Sequence, residues 1–412
     1  MHDKMKEMIL WIGPLLDEPE LEEMVKNGEC ATASANLAEW NFLKYFVQET
    51  KCDLVALSAI RTIEWPKNKK LYYRDKPIET YFDGRLKLHN VGFCNIFGIS
   101  HLARGNALIA KARELASSLS DDTFVNLFVY SMHLPFMKAA EAFKAHHSNC
   151  CYKLIVPDLP LNMNTSTRLR KVLKEIDWRN IQNGFNAVDG FILYTRQMAD
   201  YLKIRPNRFI VCEGIANLSL LKKRVSHSTS SSSKCRTLLY AGNLDAKYRM
   251  ENLVKAFGMV NDPGTELIVY GKGSGSHEVE VACSEVHNAT FGGFKPNDEI
   301  TSLMLDAYCV VNPRPIDIDC AEYSCPSKTL EAMACGVAFA SSRLPGIPNE
   351  YWDYIYELDC TDSSHLANSL CALLSMSADD IHLMGEKASN YIEARSRASI
   401  TTMLSFRGDK NE

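Results

Sequence analysis

A short helical pattern between two buried strand patterns constrains the fold of this chain most. The segment 323–336 reads YSCPSKTLEAMACG. Pro326 suits the first helical position, because its fixed φ fits there and its missing N–H would be unpaired anyway, and Gly336 suits the position just past the helix. Apolar runs at 306–311 and from Val337 predict a strand on either side. This order predicts a parallel βαβ unit, which binds ligands at the carboxyl ends of its strands.

The start of this helix is a predicted anion site. Free N–H groups and the positive end of the helix dipole favour negative charge near Ser324, Cys325 and Ser327. Lys328 lies in the first turn, where the dipole disfavours a cation, so a bound diphosphate would explain its presence. Glu331 shares a helix face with Lys328 and is placed to accept the two hydroxyls of a ribose. The alternative is a surface ion pair between Lys328 and Glu331 without a ligand.

The wider run NPRP…EYSCPSKTLEAMACGVAF…LPGIPNEY resembles the donor-site signature of a known enzyme family. This is the family-four, or group 1, of retaining glycosyltransferases with the GT-B fold, and the resemblance is greatest to the bacterial branch that builds surface and capsular polysaccharides. It covers most of the chain and is strongest over residues 237–354. It implies an α/β protein of two Rossmann-like domains whose parallel sheets face each other across a cleft.

The resemblance also implies a reaction and its substrates. A sugar would pass from a nucleotide sugar, most simply a UDP-sugar, to a saccharide or lipid-linked acceptor with retention of anomeric configuration. The nucleotide sugar is a donor substrate, so no separate cofactor and no metal is expected.

Composition limits the class and the location of the protein. A chain of 412 residues with 46% hydrophobic residues is long enough for two domains. Its formal charge of −4 is not that of a basic nucleic-acid binder. The 14 cysteines lack metal-site spacing, the N-terminus lacks the apolar core of a signal peptide, and no apolar run approaches the ~20 residues of a membrane span. We therefore expect a cytoplasmic protein, either soluble or peripheral on the inner face of the plasma membrane.

A serine-rich run, HSTSSSSK, marks the predicted domain boundary. We predict an acceptor-binding domain over residues 1–220, a flexible linker over 221–236, and a nucleotide-sugar-binding domain over 237–390. Residues 391–412 are predicted to form a helix and tail that cross back toward the first domain. In the fold that the resemblance implies, the active site lies between the domains and such a linker permits closure.

Two residues of the first domain are candidates for proton transfer. Strand patterns end at Tyr130 and Val156, and His133 and Asp158 follow them, at the edge where α/β sheets place functional side chains. His133 is a candidate acid/base or hydrogen-bonding group on the acceptor side, and its alternative role is loop packing. Relatives commonly have histidine where Asp158 stands, so the identity of any proton carrier is open. The resemblance also places Gly13, after the first strand pattern, in a loop that faces the acceptor.

Two basic segments have both a membrane and a solvent interpretation. Residues 61–96 combine lysines and arginines with aromatic residues, and residues 167–176 read as a basic amphipathic helix. Either would suit an anionic membrane that holds a lipid-linked acceptor; the alternatives are a polar, solvated hairpin for the first segment and a solvated surface helix for the second. The histidine and cysteine cluster at 146–151 and the Asp317-Ile-Asp319 pattern match metal motifs only superficially, so no metal site is predicted.

The first loop of the second domain is predicted to approach the donor phosphates. Gly242 lets a phosphate come close to the backbone, and Lys247 and Arg249 are candidates to neutralise the diphosphate. The family commonly has arginine directly after this glycine and lysine five residues further on. Here Asn243 and Tyr248 occupy those places. We keep Asn243 as a contact candidate, although the phosphate loop departs from the family pattern.

The remaining donor-site candidates follow later strand patterns. Gly271 ends the next strand in a turn near the nucleotide, and Phe294 lies in the loop where the family binds the base. Arg314 follows the strand before the helix that starts at Pro326. Glu322 matches the first of two family glutamates, although its spacing to Glu331 is longer by one residue than the family's.

Two other functions remain open on the sequence alone. A nucleotide-sugar epimerase or hydrolase of the same fold would bind the same donor and would need an acid/base pair or a positioned water. A non-catalytic protein would bind a nucleotide sugar as a partner subunit. The altered phosphate loop at Asn243 and Tyr248 is the feature that allows this last alternative.

Overall fold

An apolar run near the start of the chain forms a central strand of the first sheet. Residues 7–13 are buried from Met8 onward and pair in parallel with a strand on either side. Such continuous burial is typical of parallel strands that are covered on both faces. The structure is a computed structural model, and it describes residues 6–29, 33–159, 168–221, 235–318 and 321–409.

The chain divides into two compact units. The first contains the residues up to Cys212 together with those from Ser399 onward, and the second runs from Glu213 to Ala398. The change of unit at Cys212 precedes the predicted linker, of which residues 222–234 lie outside the described part. The return to the first unit at Ser399 falls inside the last helix, later than the predicted residue 391.

The first unit is built on an eight-stranded sheet with the order β10-β9-β8-β7-β1-β2-β5-β4. Neighbouring strands are parallel except β4, which is antiparallel to β5, while β3 and β6 form a separate antiparallel pair. The strands are β1 (Glu7–Gly13), β2 (Asp53–Ser58), β3 (Tyr72–Tyr73), β4 (Glu79–Tyr81), β5 (Leu86–Asn90), β6 (Phe93–Cys94), β7 (Phe124–Tyr130), β8 (Cys150–Val156), β9 (Gly190–Leu193) and β10 (Phe209–Val211).

Helices cover the faces of this sheet. Trp11 lies at the centre of an aromatic core, with ring centroids 5.7 Å from Phe42 and 5.9 Å from Tyr130. The helices are α1 (Glu18–Lys26), α2 (Ala33–Glu49), α3 (Ser100–Ser118), α4 (Leu134–His146), α5 (Arg168–Gly184) and α6 (Gln197–Leu202). The side chains of residues 160–173, which include most of the basic residues predicted for the helix over 167–176, lie outside the described part.

The second unit contains a six-stranded parallel sheet with the order β13-β12-β11-β14-β15-β16. Asp362 shows how local chemistry starts its helices, because its carboxylate accepts from the N–H groups of Ser364 and His365 at 2.8 and 2.9 Å. The strands are β11 (Arg236–Asn243), β12 (Thr265–Lys272), β13 (Ala289–Gly293), β14 (Cys309–Asn312), β15 (Ala338–Ser341) and β16 (Tyr356–Glu357), and the helices are α7 (Glu251–Val260), α8 (Ser276–Glu285), α9 (Asn297–Asp306), α10 (Ser327–Cys335), α11 (Ser363–Leu374) and α12 (Ala378–Ser405).

The structure confirms the α/β class and corrects three local predictions. The strand predicted over residues 306–311 is shorter, because α9 continues to Asp306 and β14 begins at Cys309. Residues 86–90, which lie in the stretch interpreted as a polar hairpin, form β5 and pair in parallel with β2. Pro326 is the residue before the first turn of α10 and has an extended ψ of 128°, so the helix begins at Ser327.

The end of α12 is anchored to the sheet of the first unit. The carbonyl of Leu404 accepts from the ammonium of the buried Lys153 at 3.0 Å. A side chain on Gly190 would collide with the ring of Phe406, which approaches the ideal Cβ position to 2.5 Å. Among the helices of the described ranges, none is both long and apolar enough to cross a membrane.

Candidate active site in the second unit

Helix α10 places its amino end beside the carboxyl ends of β11 and β14. Pro326 leads into the helix, and Gly336 ends it in the left-handed conformation with φ 70°, which favours glycine. The first N–H groups of the helix have no partners within the helix itself. Such a helix end is a common place for proteins to bind anions, and the anion site at Ser324, Cys325 and Ser327 stays a prediction.

A small pocket lies at this helix end. Two of its residues, Arg314 and Ser324, were predicted from the sequence. Tyr248 appeared in the sequence analysis only as a departure from the family pattern, and Leu344, after β15, was missed because a single leucine carries no site signal. The lining residues are Tyr248, Arg314, Ile318, Ala321, Ser324, Pro326 and Leu344.

Arg314 supplies positive charge to this pocket. Its guanidinium carbon lies 4.5 Å from the centroid of the Tyr248 ring, a cation–π contact that fixes the orientation of the side chain. Its Nε is buried and has no hydrogen-bond partner among the described residues. Buried donors are normally paired, so the unpaired Nε of Arg314 marks this arginine as unusual.

Lys328 and Glu331 form the ion pair that the sequence analysis gave as the alternative to ligand binding. The Lys328 ammonium lies 2.6 Å from Glu331 Oε2 and 3.0 Å from Asn297 Oδ1. The two side chains are 22% and 15% exposed, so the pair is half-buried rather than fully solvated. Such a pair holds both side chains in place whether or not an anion is bound.

The loop after β11 is tied together by its own side chains. Asn243 Nδ2 donates to Asp245 Oδ2 at 2.9 Å, and the Tyr240 hydroxyl donates to the Asn243 carbonyl at 2.8 Å. A Cβ on Gly242 would approach that hydroxyl to 2.9 Å, which accounts for glycine at this position. Gly271, at the end of β12, lies directly against Gly242, because a Cβ added to Gly271 would be 2.0 Å from the Gly242 carbonyl oxygen.

The two cations predicted for the diphosphate point to different neighbours. Arg249 forms an exposed ion pair with Asp317 at 3.2 Å. The Lys247 ammonium lies 5.2 Å from the centroid of the Tyr248 ring. Neither residue lines the pocket at α10. Tyr248 is thus contacted by both Lys247 and Arg314. Of these two cations, Arg314, in the loop after β14, lines the pocket.

The remaining donor-side candidates are spread around this edge of the sheet. Phe294 is 63% exposed after β13, with the Lys272 ammonium 4.4 Å from its ring centroid. Glu322 is exposed on the single 3-10 turn that precedes α10. Cys325 is buried, and burial raises the pKa of its thiol, so its contribution to an anion site is its backbone N–H. Ser327, the first helical residue, is exposed.

In the first unit, His133 lies where the sequence placed it, between β7 and α4. Its half-buried ring packs against Phe136, with centroids 4.7 Å apart, and meets His101 edge-on at 5.1 Å. Burial, together with the charges of Arg104 and Arg61, holds the pKa of His133 well below its ordinary value. The imidazole is therefore neutral at pH 7, and its Nδ1 is buried without a hydrogen-bond partner in the described ranges.

Asp158 follows β8 at the same sheet edge, as predicted. The residue is exposed by surface area, yet the protein around its carboxyl group raises the pKa of Asp158, and only the charge of Arg61 opposes that shift. The same arginine acts on His133, so one cation links the two candidate proton carriers.

Glu39 is a buried carboxyl group that the sequence did not reveal. It is 0% exposed, and its Oε2 accepts from the indole N–H of Trp11 at 2.8 Å. Burial raises the pKa of Glu39 well above its ordinary value. A Cβ on Gly13 would lie 2.2 Å from this oxygen, so the glycine leaves room for the carboxyl group. An acidic residue on a helix is normally expected to face solvent, and no local sequence pattern predicts that Glu39 is buried.

A family model matches the part of the chain that holds the pocket. Residues 235–376 match the model described as Glycosyl transferases group 1. The match lies within the second unit. A search of curated proteins finds no match. No group of three or more histidine, cysteine or acidic side chains that would hold a metal occurs among the residues that the structure describes.

Solved structures similar to the whole chain are glycosyltransferases of the GT-B fold. An α,α-trehalose-phosphate synthase from Burkholderia vietnamiensis has 9% identity and a TM-score of 0.60, with 97% of this chain and 98% of that one covered. Sucrose-phosphate synthase from Thermosynechococcus elongatus has 12% identity and a TM-score of 0.61, with coverage of 96% and 97%. Anabaena HepE has 13% identity and a TM-score of 0.56, with coverage of 97% and 98%. The fold is therefore GT-B.

Proposed function

We propose that this protein is a retaining glycosyltransferase that moves a sugar from a nucleotide sugar, most simply a UDP-sugar, to a saccharide or lipid-linked acceptor. One observation carries the proposal: the pocket at the amino end of α10, lined by Arg314 and Ser324, lies within the stretch that matches the glycosyltransferase model. This helix end and this arginine suit a pyrophosphate.

The proposed catalysis acts on the charge of the leaving diphosphate. As the anomeric bond breaks, negative charge builds on the phosphate oxygens, and donors fixed in place stabilise it more than water would. The N–H groups at the start of α10 and the free Nε of Arg314 are such donors. Lys328, the second residue of α10, adds positive charge, and Glu331 and Asn297 hold its side chain in place. This assignment needs no metal.

Glu331 is proposed to bind the ribose of the donor. Its Oε2 is occupied by the Lys328 ammonium, so Oε1 is the oxygen assigned to the ribose hydroxyls. Phe294 is assigned to the base because its exposed ring offers an apolar face. Gly242 and Gly271 are assigned to the close approach of the phosphates, while Lys247, Arg249 and Glu322 are assigned to the rim, where they would meet the donor.

Similar structures support this choice of donor and acceptor. The Anabaena protein is described in complex with UDP and glucose, and an Escherichia coli structure is described as bound to UDP-2-fluoro glucose. Another is described in terms of glycosyl transfer with retention. The resemblance to the bacterial polysaccharide branch further suggests surface polysaccharide synthesis at the inner face of the plasma membrane. His133 and Asp158 are assigned to the acceptor, with His133 as a neutral hydrogen-bond acceptor or base.

The proposal is tested by UDP release from a panel of UDP-sugars, with and without bacterial membrane extract as the acceptor source. We expect release that requires the extract and persists in EDTA, and an α-linked product from an α-linked donor by NMR. Release without an acceptor would instead indicate a hydrolase, and conversion of the UDP-sugar without net UDP release would indicate an epimerase. Tight UDP binding without turnover under any condition would contradict the proposal and favour a binding subunit.

A further inference from the structure

A second concavity lies in the first unit, away from the residues assigned above. It is a groove bounded by α3 on one side and by the segment of residues 72–78 on the other. Asn90, the last residue of β5, lies in its lining. The groove therefore opens at the carboxyl end of β5, the edge of a parallel sheet at which ligands bind.

Asn90 is an unpartnered polar residue in this groove. It is 8% exposed, and neither its Oδ1 nor its Nδ2 has a hydrogen-bond partner within the described ranges. A buried amide without partners is unfavourable, and native structures rarely keep one unless a ligand or ordered water pairs with it. A carboxamide offers one acceptor and two donors, which is the pattern that a hydroxyl group complements.

The charged residues of the groove already have partners. Asp75 accepts from the Gly92 N–H at 2.7 Å, and the Lys76 ammonium contacts Glu20. The Lys111 ammonium lies 2.8 Å from Glu114. Burial and the charge of Lys111 lower the pKa of His89, so its imidazole is neutral at pH 7. The groove is thus polar but electrically balanced, and it does not favour an anionic or a cationic ligand.

Two apolar side chains are exposed at the groove. The ring of Tyr72 is 57% exposed and Ile78 is 55% exposed, and both belong to the lining. An exposed aromatic face next to a buried carboxamide suits a ligand with both apolar C–H surfaces and hydroxyl groups. Neutral sugars have both.

We propose that this groove binds a neutral saccharide, as a subsite for the distal sugars of an oligosaccharide acceptor. This inference rests on the proposed function. In the sheet order, β5 is three strands from β7, the strand that His133 follows. Three strand spacings amount to roughly 14 Å. An acceptor that reaches both places is an oligosaccharide, with its distal part against Asn90 and Tyr72.

The test measures glycan binding without any donor. The full-length chain is applied to an array of neutral and charged oligosaccharides, and the best neutral ligand is titrated by calorimetry. Variants Tyr72→Ala and Asn90→Leu are compared with Phe97→Ala, a control because Phe97 is similarly exposed, at 59%, and does not line the groove. UDP binding is titrated separately on each variant.

We expect the wild type and Phe97→Ala to bind neutral glycans alike, and Tyr72→Ala and Asn90→Leu each to lose about tenfold in affinity. Asn90→Leu should also melt at the same or a higher temperature, because it removes an unpaired buried amide. Absence of neutral glycan binding by the wild type, or equal affinity in all four proteins, would overturn the proposal. If Asn90→Leu fails to fold, the glycan affinity of Tyr72→Ala, a substitution at an exposed position, tests the proposal by itself. Glycan binding without UDP binding would support the groove while contradicting the proposed function.

Discussion

The contact between Lys328 and Glu331 is compatible both with a structural ion pair and with a site that binds a diphosphate. An ammonium in the first turn of a helix opposes the dipole, and Glu331 three residues later offsets that cost. The pair is half-buried, so solvent screens it less than an exposed pair. Ligand binding would then add a diphosphate to an ammonium that is already oriented, rather than order a free side chain.

Substitution of Glu331 and of Lys328 should change different constants of the reaction. Glu331→Gln should raise the dissociation constant for UDP, because it weakens the acceptor assigned to the ribose. Lys328→Ala should lower kcat more than affinity, by ~2–4 kcal/mol in transition-state stabilisation, because its charge acts on the leaving group. Steady-state kinetics with UDP-sugar and UDP calorimetry separate the two effects.

A matched control exists in the first unit. Lys138 and Glu141 on α4 have the same spacing and the same 2.6 Å contact. Lys138→Ala should leave both kinetic constants unchanged. If Lys328→Ala behaves like Lys138→Ala, the assignment of Lys328 to the leaving group is incorrect.

Tyr248 explains the departure of the phosphate loop from the family pattern. The resemblance leads one to expect a lysine here, and a tyrosine removes that charge from the loop. The Tyr248 ring instead supports the guanidinium of Arg314, which follows β14. Arg314 therefore supplies positive charge to the pocket from the neighbouring strand end, and only the folded sheet shows its contact with Tyr248.

At the scale of elements, the end of α10 is fixed by close backbone packing within the second unit. Gly385 in α12 lies against the residues where α10 ends, and an added Cβ there would be 2.2 Å from the Gly336 carbonyl oxygen. Gly336 has a positive φ, so this turn has little freedom to move aside. The position of α10, and with it the anion site at its other end, depends on this contact.

Gly385→Ala should therefore destabilise the second unit even though alanine favours helices. We expect a loss of ~1–3 kcal/mol in the free energy of unfolding, since backbone atoms must move. Gly105→Ala in α3 is the control, because its Cβ would meet Pro135 at an ordinary 3.7 Å and should stabilise by ~0.5–1 kcal/mol. Urea unfolding measures both, and a stabilised Gly385→Ala would show that the packing is less rigid than described.

The elements that periodicity predicted well are the fully buried ones. β1, β7 and β8 are buried runs that are apolar apart from Glu7, Asn126 and Lys153, so the apolar run itself predicts the strand. β5 was missed because it alternates buried and exposed positions and carries Lys87 and His89, so it looks like a polar hairpin. β14 was misplaced because α9 and the strand share one apolar stretch, which periodicity alone does not divide.

At the scale of the whole molecule, a buried lysine in the first unit makes stability depend on pH. Lys153 is 0% exposed, and its ammonium donates to Asn126 Oδ1 at 2.8 Å and to the Leu404 carbonyl at 3.0 Å. Burial lowers the pKa of Lys153 from 10.5 to about 7. Between these values the unfolded chain binds more protons than the folded chain, so stability should rise with pH in this window.

Lys153→Met should remove that contribution. Relative to this variant, the wild type should gain up to ~1.4 kcal/mol of unfolding free energy per pH unit between about pH 7 and 10, and the difference should be constant below pH 7. Urea unfolding at a series of pH values measures it. Lys87→Met, at an exposed position of β5, should keep the wild-type slope, and the same slope in Lys153→Met would show that this ammonium stays charged when buried.

The sequence by itself determined the fold class, the buried strands β1, β7 and β8, and the presence of a short helix that ends before Gly336, because buried runs, proline and glycine act over short distances. It also pointed to Arg314 and Ser324, which follow or precede recognisable elements. Only the tertiary structure decided that Tyr248 and Leu344 complete their pocket, that Glu39 is buried beneath Gly13, and that Asn90 lies unpaired in a groove. Burial and pairing are set by residues distant in the chain, so no local pattern of amino acids encodes them.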